Sequence, residues 1–220
     1  MQLSDYLKQN DPSVNIKPIA WAVAVAAVLW GVMFSPWTAP HLNFWIGMTC
    51  SALVLITISH LLRNRWGGRK FSHSIGEVAL GIVCAVALWV IFWICNEISR
   101  LIIPFAGTQV GSIYALRTGN NPWVVGAMLL LVIGPAEELF WRGTVQRAIS
   151  AKRGPVVAFI LTTAAYTLVH IWSFNLMLIG AAGVCGVFWG LLYAWRRNLT
   201  AALVSHCLWD VAVFLIFPIS

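Results

Sequence analysis

The sequence of 220 residues carries few charges: Asp, Glu, Lys and Arg make up 10% of it, whereas 60% is hydrophobic. Soluble domains have about 25% charged and about 45–50% apolar residues. This scarcity of charge excludes a disordered chain and argues against an ordinary soluble enzyme. The mean hydropathy of +0.82 and 13 tryptophans, which favour membrane–water interfaces, indicate an integral membrane protein.

Several catalytic and metal-binding motifs are also missing from the sequence. It contains no G-x-S-x-G and no H-E-x-x-H, which argues against a serine hydrolase of that type and against a zincin. The five cysteines have no C-x-x-C spacing and fall within or at the ends of apolar stretches. We interpret them as buried apolar fillers and not as disulfides or metal ligands.

Long uncharged stretches predict the membrane spans, because about 20 residues are needed to cross the hydrocarbon core. Seven spans are predicted, at about 18–35, 42–62, 76–96, 123–147, 156–172, 176–195 and 199–217. An eighth is counted if segment 97–116 also enters the membrane, and the sixth is a candidate for a broken helix. The predicted fold class is therefore all-α, a polytopic transmembrane helical bundle of seven to eight spans.

The predicted spans divide the chain into three parts. These are a cytoplasmic N-terminal segment (1–17), the N-terminal transmembrane helices with an outer loop (18–122), and a transmembrane core with the candidate catalytic motifs (123–217). The stretch Ser35-Pro36-Trp37-Thr38 is a poor cleavage site for a signal peptidase, so we expect the first span to be retained as an anchor.

The basic residues predict an orientation. If the spans alternate, eleven of the 14 Lys and Arg residues fall on one side, Arg100 and Arg117 on the other, and Arg142 inside a span. The positive-inside rule then places the N-terminus of this multi-pass protein in the cytoplasm. The compact size of the protein favours the cell (inner) membrane of a prokaryote. The net charge of +7 thus reflects topology. The expected partner is the lipid bilayer, and no nucleic acid is expected.

Most acidic residues lie outside the predicted spans or near their ends, but Glu137, Glu138 and Asp210 do not, and two histidines, His170 and His206, also lie inside spans. A carboxylate at the bilayer centre costs about 2.5–3.5 kcal/mol on the insertion scale, so such residues point to function. The alternative interpretation is a structural polar cluster that ties the helices together.

Three predicted helices each present a polar pair four residues apart, and hence on one face: Glu138 and Arg142, Tyr166 and His170, His206 and Asp210. Glu137 is rotated about 100° from Glu138 and has no cation near it in sequence. Desolvation makes such a carboxylate a stronger base. Pro135 removes a backbone donor two residues earlier and weakens the helix there.

These residues suit the hydrolysis of an amide bond. Glu137 and His170 are predicted to activate a water together, and His206 to donate a hydrogen bond to the developing oxyanion. Zinc held by Glu137, His170 and His206 is the rival interpretation. Because H-E-x-x-H is absent and adjacent glutamates point apart, no cofactor is expected, although zinc stays open.

The three motifs resemble those of the CPBP family, the CAAX-protease and bacteriocin-processing (Abi) intramembrane endopeptidases. The resemblance covers residues 137–210. It implies that Glu137 is the base that activates water, that His170 is its partner, and that His206 helps to form the oxyanion site. It also implies a metal-free glutamate mechanism.

The remaining motif positions are supporting ones by the same resemblance. Glu138 and Arg142 complete the first motif. Tyr166 stands where the family has an aromatic residue, usually Phe. Asp210 departs from the commoner Asn, and it is expected to orient His206 or to be protonated.

The function predicted from the sequence is a glutamic-type intramembrane endopeptidase acting on a protein or peptide with a membrane-proximal cleavage site. Prenylated C-termini, leader peptides and C-terminal membrane anchors are all compatible substrates. The alternatives are a non-catalytic membrane immunity or binding protein and a zinc-dependent form of the same protease. A proton-coupled transporter is a further alternative, but no inverted repeat is visible.

Overall fold

The computed structural model describes residues 15–62, 65, 71–72 and 74–219 of the chain. Within these residues there are eight helices: α1 (Lys17–Phe34), α2 (Phe44–Leu62), α3 (Ile75–Ile102), α4 (Ala106–Ala115), α5 (Pro122–Arg153), α6 (Pro155–Leu168), α7 (Leu176–Arg196) and α8 (Thr200–Ile216). The predicted all-α fold class is confirmed. Most of the predicted segment 1–17 lies outside the described residues. So do four of the basic residues that predict the orientation: Lys8, Arg63, Arg69 and Lys70.

Six helices of the described chain are long and apolar enough to cross a membrane: α1, α2, α3, α5, α7 and α6 when it is counted to Ser173. Helix α8 is apolar but shorter, so the seventh predicted span falls below that length. Helix α4 has 10 residues, about 15 Å at 1.5 Å per residue, and is too short to add an eighth crossing. Helix α7 is continuous, so the interpretation of the sixth span as a broken helix is wrong.

Local sequence signals explain where several helices begin. The side-chain oxygens of Ser74, Asn121 and Asn175 accept hydrogen bonds from backbone N–H groups in the first turns of α3, α5 and α7. Gly154 has a φ of +82°, a conformation that glycine adopts without strain. With Pro155 as the first residue of α6, it forms the tight turn between α5 and α6.

Short connections make successive long helices alternate in direction. Lys17, Arg153 and Arg197 consequently lie at one end of the bundle, which we call the basic end, and Arg100 and Arg117 lie at the opposite end, the far end. At the basic end, the Arg196 side chain donates a hydrogen bond to Glu77 and forms an ion pair with it. This ion pair joins the last turn of α7 to the first turn of α3. Helix α4 lies at the far end.

Helix α8 packs closely against α3 and α5 through two glycines. A Cβ added at Gly81 of α3 would lie 2.7 Å from the Val204 side chain and 2.9 Å from the Ala201 carbonyl oxygen. A Cβ at Gly134 of α5 would lie 2.9 Å from the Cys207 sulfur. Small residues allow this approach, and it brings His206 on α8 next to the glutamates on α5.

Two glycines of α7, Gly186 and Gly190, pack closely against α6. A Cβ at Gly186 would lie 3.2 Å from Thr163, and one at Gly190 would lie 3.1 Å from the Phe159 ring. Close packing places the Trp189 ring of α7, between these glycines, inside the bundle with no exposed surface.

The tryptophans and cysteines do not all lie where the sequence suggests. Trp30, Trp141 and Trp189 are fully buried in the bundle and are not at an interface. Cys50 and Cys95 are exposed on the protein surface, so the expectation of buried cysteines is wrong for these two. All five cysteines are free.

Candidate active site

The two adjacent glutamates lie on a short α-helical stretch of α5 between two π-helical turns. The π turns cover Leu129–Ile133 and Trp141–Gln146, and Gly134–Phe140 between them is α-helical. Pro135 has no N–H to donate, and the preceding π turn absorbs this defect because Gly134 N–H bonds to the carbonyl of Leu129. The sequence predicts a weakened helix at Pro135. The structure shows there a change from π-helical to α-helical winding within one continuous helix.

Glu138 is fully buried and receives two hydrogen bonds on the same oxygen. Arg142 Nη1 lies 2.9 Å from its Oε1, and His206 Nδ1 lies 2.8 Å from it. The predicted i,i+4 ion pair is present. The Arg142 guanidinium also lies over the rings of Tyr166 and Trp189, at 5.0 and 5.6 Å. Glu138 thus links α5 to α8, and its Oε1 is engaged in hydrogen bonds with Arg142 and His206.

Glu137 has a different environment although it is the next residue. It is 5% exposed, and the Tyr166 hydroxyl donates a hydrogen bond of 2.9 Å to its Oε2. Among the described residues it takes part in no salt bridge. Its hydrogen-bond partner, on α6, is therefore a neutral phenol. Its carboxylate keeps the capacity to accept a proton from water.

His170 lies just beyond the end of α6 and is held through both ring nitrogens. Its Nδ1 is 2.8 Å from the carbonyl oxygen of Tyr166, and its Nε2 is 3.1 Å from the indole nitrogen of Trp30. An indole N–H can only donate, so Nε2 is the acceptor and Nδ1 carries the proton given to Tyr166. Tyr166 therefore links Glu137 and His170, through its hydroxyl and its carbonyl.

His206 lies between two carboxylates on a flat aromatic surface. Its Nδ1–H donates to Glu138, and its Nε2 is 3.4 Å from Oδ2 of Asp210. The ring stacks on Trp189 with centroids 3.7 Å apart and an interplanar angle of 15°. The Trp189 indole donates to Ser205. This packing fixes the orientation of the His206 ring.

A cavity of about 500 Å³ lies beside these groups. Tyr166 and His170 form part of its wall, which is otherwise mostly apolar and is drawn from α3, α4, α7 and α8. Helix α4 covers its far end, where Asn175 Nδ2 donates to the carbonyl of Gln109 at 2.9 Å. The buried polar groups thus border a space large enough for a ligand.

The predicted zinc ligands do not converge. Among the described residues no group of three His, Cys, Asp or Glu side chains is placed to hold a metal ion. Glu137 and His170 are joined through Tyr166, whereas His206 is bound by Glu138. The predicted site residues therefore form two adjoining clusters on α5, α6 and α8.

Two tryptophans of the site are missed by the sequence analysis. Trp30 of α1 bonds to His170, and Trp189 of α7 supports His206. Nothing in the sequence separates these two from the other tryptophans of the chain, because each lies in an apolar span that holds a second tryptophan. Only the packing of the helices selects them.

The bundle of membrane-length helices holds a buried glutamate–histidine cluster beside an apolar cavity, an arrangement that suits an intramembrane enzyme. Residues 119–212, from the start of α5 into α8, match the model of the family described as Type II CAAX prenyl endopeptidase Rce1-like. The match covers less than half of the chain; over this segment the chain is similar to the CAAX endopeptidases, and the similarity supports a peptidase embedded in a membrane with a protein substrate. No curated protein and no solved structure matches the chain. Helices α1–α4 lie outside the matched segment.

Proposed function

We propose that this peptidase is of the glutamic type and that Glu137 is its base. The observation that carries the proposal is the contrast between the two adjacent glutamates. Glu138 is occupied by Arg142 and His206, whereas Glu137 receives one hydrogen bond from the neutral Tyr166 hydroxyl. A desolvated carboxylate without a paired cation is the more effective proton acceptor of the two.

The reaction begins with a water bound to Glu137. The carboxylate takes one proton of the water while its oxygen attacks the carbonyl carbon of the scissile peptide bond. The resulting tetrahedral intermediate collapses when the C–N bond breaks, and Glu137 returns the proton to the leaving amine. The products are a new carboxyl terminus and a new amino terminus, and Glu137 is regenerated.

The histidines assist this reaction in different ways. His206 is oriented by Glu138 and Trp189, and in its doubly protonated form it keeps Nδ1–H on Glu138 and donates Nε2–H to the oxyanion of the intermediate. His170 supports Glu137 through Tyr166: its Nδ1–H donates to the Tyr166 carbonyl, and Trp30 holds its Nε2 in place, so His170 orients the residue that binds Glu137. Asp210 acts as an orienting residue for Nε2 of His206.

The proposed mechanism uses no metal ion. Its support is the arrangement of the site, in which the carboxylates and histidines bind one another, Tyr166 and Trp30. Cleavage that persists after treatment with a strong chelator and stays unchanged on addition of zinc is the expected result. Loss of cleavage that zinc restores would favour the zinc-dependent form.

We also propose an orientation with the N-terminus in the cytoplasm and the protein in the inner membrane. The support is the concentration of basic residues at the basic end of the bundle, which the positive-inside rule places in the cytoplasm. Reporter fusions at the two termini test it, with the N-terminal fusion expected inside and the C-terminal fusion outside. The far end, which α4 covers, then faces outward.

A comparison of the termini of membrane proteins between wild type and Glu137→Gln tests the proposed function. The amide oxygen of Gln still accepts the Tyr166 hydrogen bond but cannot take a proton from water. New termini present in the wild type are expected to disappear in the variant. Glu97→Gln, at an exposed position on α3, is the matched control and is expected to leave them unchanged.

The opposite result has a clear meaning. If Glu137→Gln inserts normally and the processed termini persist, Glu137 is not the base. If no terminus differs among wild type, variant and control, the polar cluster serves structure or partner binding, as in an immunity protein.

A further inference from the structure

The chain continues past α8 as a short non-helical segment at the far end of the bundle, residues 217–219, which we call the strap. Phe217 and Pro218 are exposed, whereas Ile219 is 6% exposed and belongs to the main hydrophobic core. Ile219 also lines the cavity beside the active site. Its packed side chain is therefore an anchor that holds the strap in the cavity wall.

Two hydrogen bonds also fasten the strap. The Ile219 N–H donates to the Tyr114 hydroxyl of α4, and the Trp89 indole of α3 donates to the Phe217 carbonyl, each at 2.9 Å. Pro218 between them has no N–H. Within the described part of the chain, these two bonds and one buried side chain hold the strap, whereas each neighbouring helix has a continuous ladder of hydrogen bonds. A segment with so few contacts opens more readily than its surroundings.

The strap and α4 together cover the far end of the cavity. Tyr114 of α4 lines the cavity beside Ile219, to which it is bonded. Other polar groups lie at the same end, where Asn175 donates to Gln109 and Ser112 of α4 at 2.9 and 3.1 Å. A bound water needs two to four polar partners. The far end of the cavity therefore suits water.

A groove that adjoins the cavity has the opposite character. It has a volume of about 750 Å³ and lies between α3 and α7. Gly180 and Val184 line both the groove and the cavity. The lining of the groove is almost wholly apolar and includes Cys84 and Trp195. The groove therefore suits hydrocarbon, and the far end is the better entrance for water.

Hydrolysis requires a supply of water inside the bundle. Each turnover of the proposed mechanism consumes one water at Glu137, which is 5% exposed. Tyr166, whose hydroxyl binds Glu137, lines the same cavity as Ile219. The cavity thus connects the strap at the far end with the residue that binds the proposed base.

We propose that the strap closes a water entrance at the far end of the cavity, and that release of Ile219 from Tyr114 opens it. This rests on the proposed function, because hydrolysis at Glu137 consumes water. When Ile219 leaves the wall, the Tyr114 hydroxyl exchanges the backbone N–H for a water. Tyr114 and Ile219 control the access of water and take no part in proton transfer.

A charged thiol reagent measures the opening of the strap. Val213→Cys places a thiol in the cavity wall at a position that is 5% exposed. The full chain in nanodiscs is treated with the cation 2-(trimethylammonium)ethyl methanethiosulfonate, and the labelled residues are identified by mass spectrometry. The reagent travels through water, so labelling at position 213 reports access from the far end. Cys84 reports access to the groove in the same sample.

Ile219→Asp should release the strap, because a carboxylate is unfavourable in an apolar wall. We expect labelling at position 213 to become about tenfold faster, as for the loss of one anchor, with labelling of Cys84 unchanged. Phe217→Asp is the matched control, since it adds the same charge at an exposed position of the strap, and it should label like the parent chain. Tyr114→Phe removes only the acceptor of the Ile219 N–H and should label about threefold faster, as for one lost hydrogen bond.

A reversible cross-link tests whether catalysis needs this opening. Tyr114→Cys and Ile219→Cys are combined and joined by a bis-methanethiosulfonate reagent, which holds the strap closed. Cleavage of a substrate found by the comparison of termini is expected to fall about tenfold and to return when dithiothreitol reduces the link. Each single variant receives the same treatment as a control and should keep its rate.

Two results would overturn the inference: equal labelling at position 213 in Ile219→Asp, Tyr114→Phe and Phe217→Asp, or full cleavage by the cross-linked chain. Size-exclusion profiles and helicity establish that each variant is folded, and Tyr114→Phe decides the matter if Ile219→Asp does not fold.

Labelling does not depend on catalysis, so it is repeated in Glu137→Gln. Loss of processing in that variant, together with equal labelling in all strap variants, would reject the strap and leave the proposed base in place. Processed termini that persist in Glu137→Gln, together with faster labelling after release of the strap, would reject the base and leave the strap in place.

Discussion

Tyr166 donates a hydrogen bond of 2.9 Å from its hydroxyl to Oε2 of Glu137. The same residue accepts a hydrogen bond from His170 at its backbone carbonyl, at 2.8 Å. One tyrosine therefore positions the proposed base and its partner histidine from a single turn of α6. The proposed site therefore includes the hydroxyl of Tyr166, which a phenylalanine at this position would lack.

Tyr166→Phe removes the hydroxyl and keeps the ring. Because the hydroxyl fixes the carboxylate of Glu137, we expect the cleavage rate of a substrate found by the comparison of termini to fall about tenfold, equivalent to about 1.4 kcal/mol. The ring still packs against Trp141 and Arg142, so the thermal midpoint of unfolding should change little. An unchanged rate would show that Glu137 does not need this hydrogen bond.

Trp30→Phe removes the donor to Nε2 of His170. We expect kcat to fall about fivefold, as for the loss of one hydrogen bond, with KM unchanged, because the histidine loses its orientation while the cavity keeps its shape. Trp21→Phe is the control, since Trp21 is on the same helix but exposed. Equal rates in the two variants would rule out a positioning role for Trp30.

Arg142→Met removes the cation of the buried ion pair. Glu138 then stays buried with only the hydrogen bond to His206. Breaking a buried ion pair costs about 3–5 kcal/mol in soluble cores, so the variant should give little monodisperse protein and a clearly lower thermal midpoint. Adding Glu138→Gln to this variant removes the unpaired charge and should recover part of the stability. Arg100→Met, at an exposed position at the end of α3, is the control and should behave like the wild type. Similar midpoints for Arg142→Met, the double variant and Arg100→Met would contradict the prediction.

His206→Phe keeps the stacking on Trp189 and removes both ring nitrogens. If His206 donates to the oxyanion, the cleavage rate should fall by about 10²–10³-fold, the range for one lost oxyanion donor. Asp210→Asn retains a polar side chain of the same shape beside Nε2 and should stay within about tenfold of the wild type. A larger loss in Asp210→Asn than in His206→Phe would exchange the roles of these two residues.

Gly81→Val tests the contact between α3 and α8 that places His206. Its Cβ would meet the Val204 side chain and the backbone of Ala201, and overpacking of this kind costs about 1–3 kcal/mol. We expect a lower thermal midpoint together with reduced cleavage. Gly107→Val is the control, because nothing lies within 4 Å of a Cβ at Gly107; the same fall in both variants would point to helix propensity instead.

The parts of the fold that depend on local pattern are predictable from the sequence. Hydrophobic runs determine the spans, and Gly154-Pro155 determines the turn between α5 and α6, because both signals act within a few residues. The pairing of Glu138 with Arg142 is likewise local, since residues four apart face the same side of a helix. The same periodicity indicates that Glu137 needs a partner on another helix.

The identity of that partner is decided only by tertiary structure. Helix rotation and the close approach allowed by Gly81 and Gly134 decide that Glu138, and not Glu137, binds His206. Trp30 reaches His170 across 140 positions of sequence, and no local pattern encodes such a contact. The sequence therefore determines a membrane bundle with charged residues inside it, whereas packing decides that Glu138 has charged partners and that Glu137 is bound by a neutral phenol.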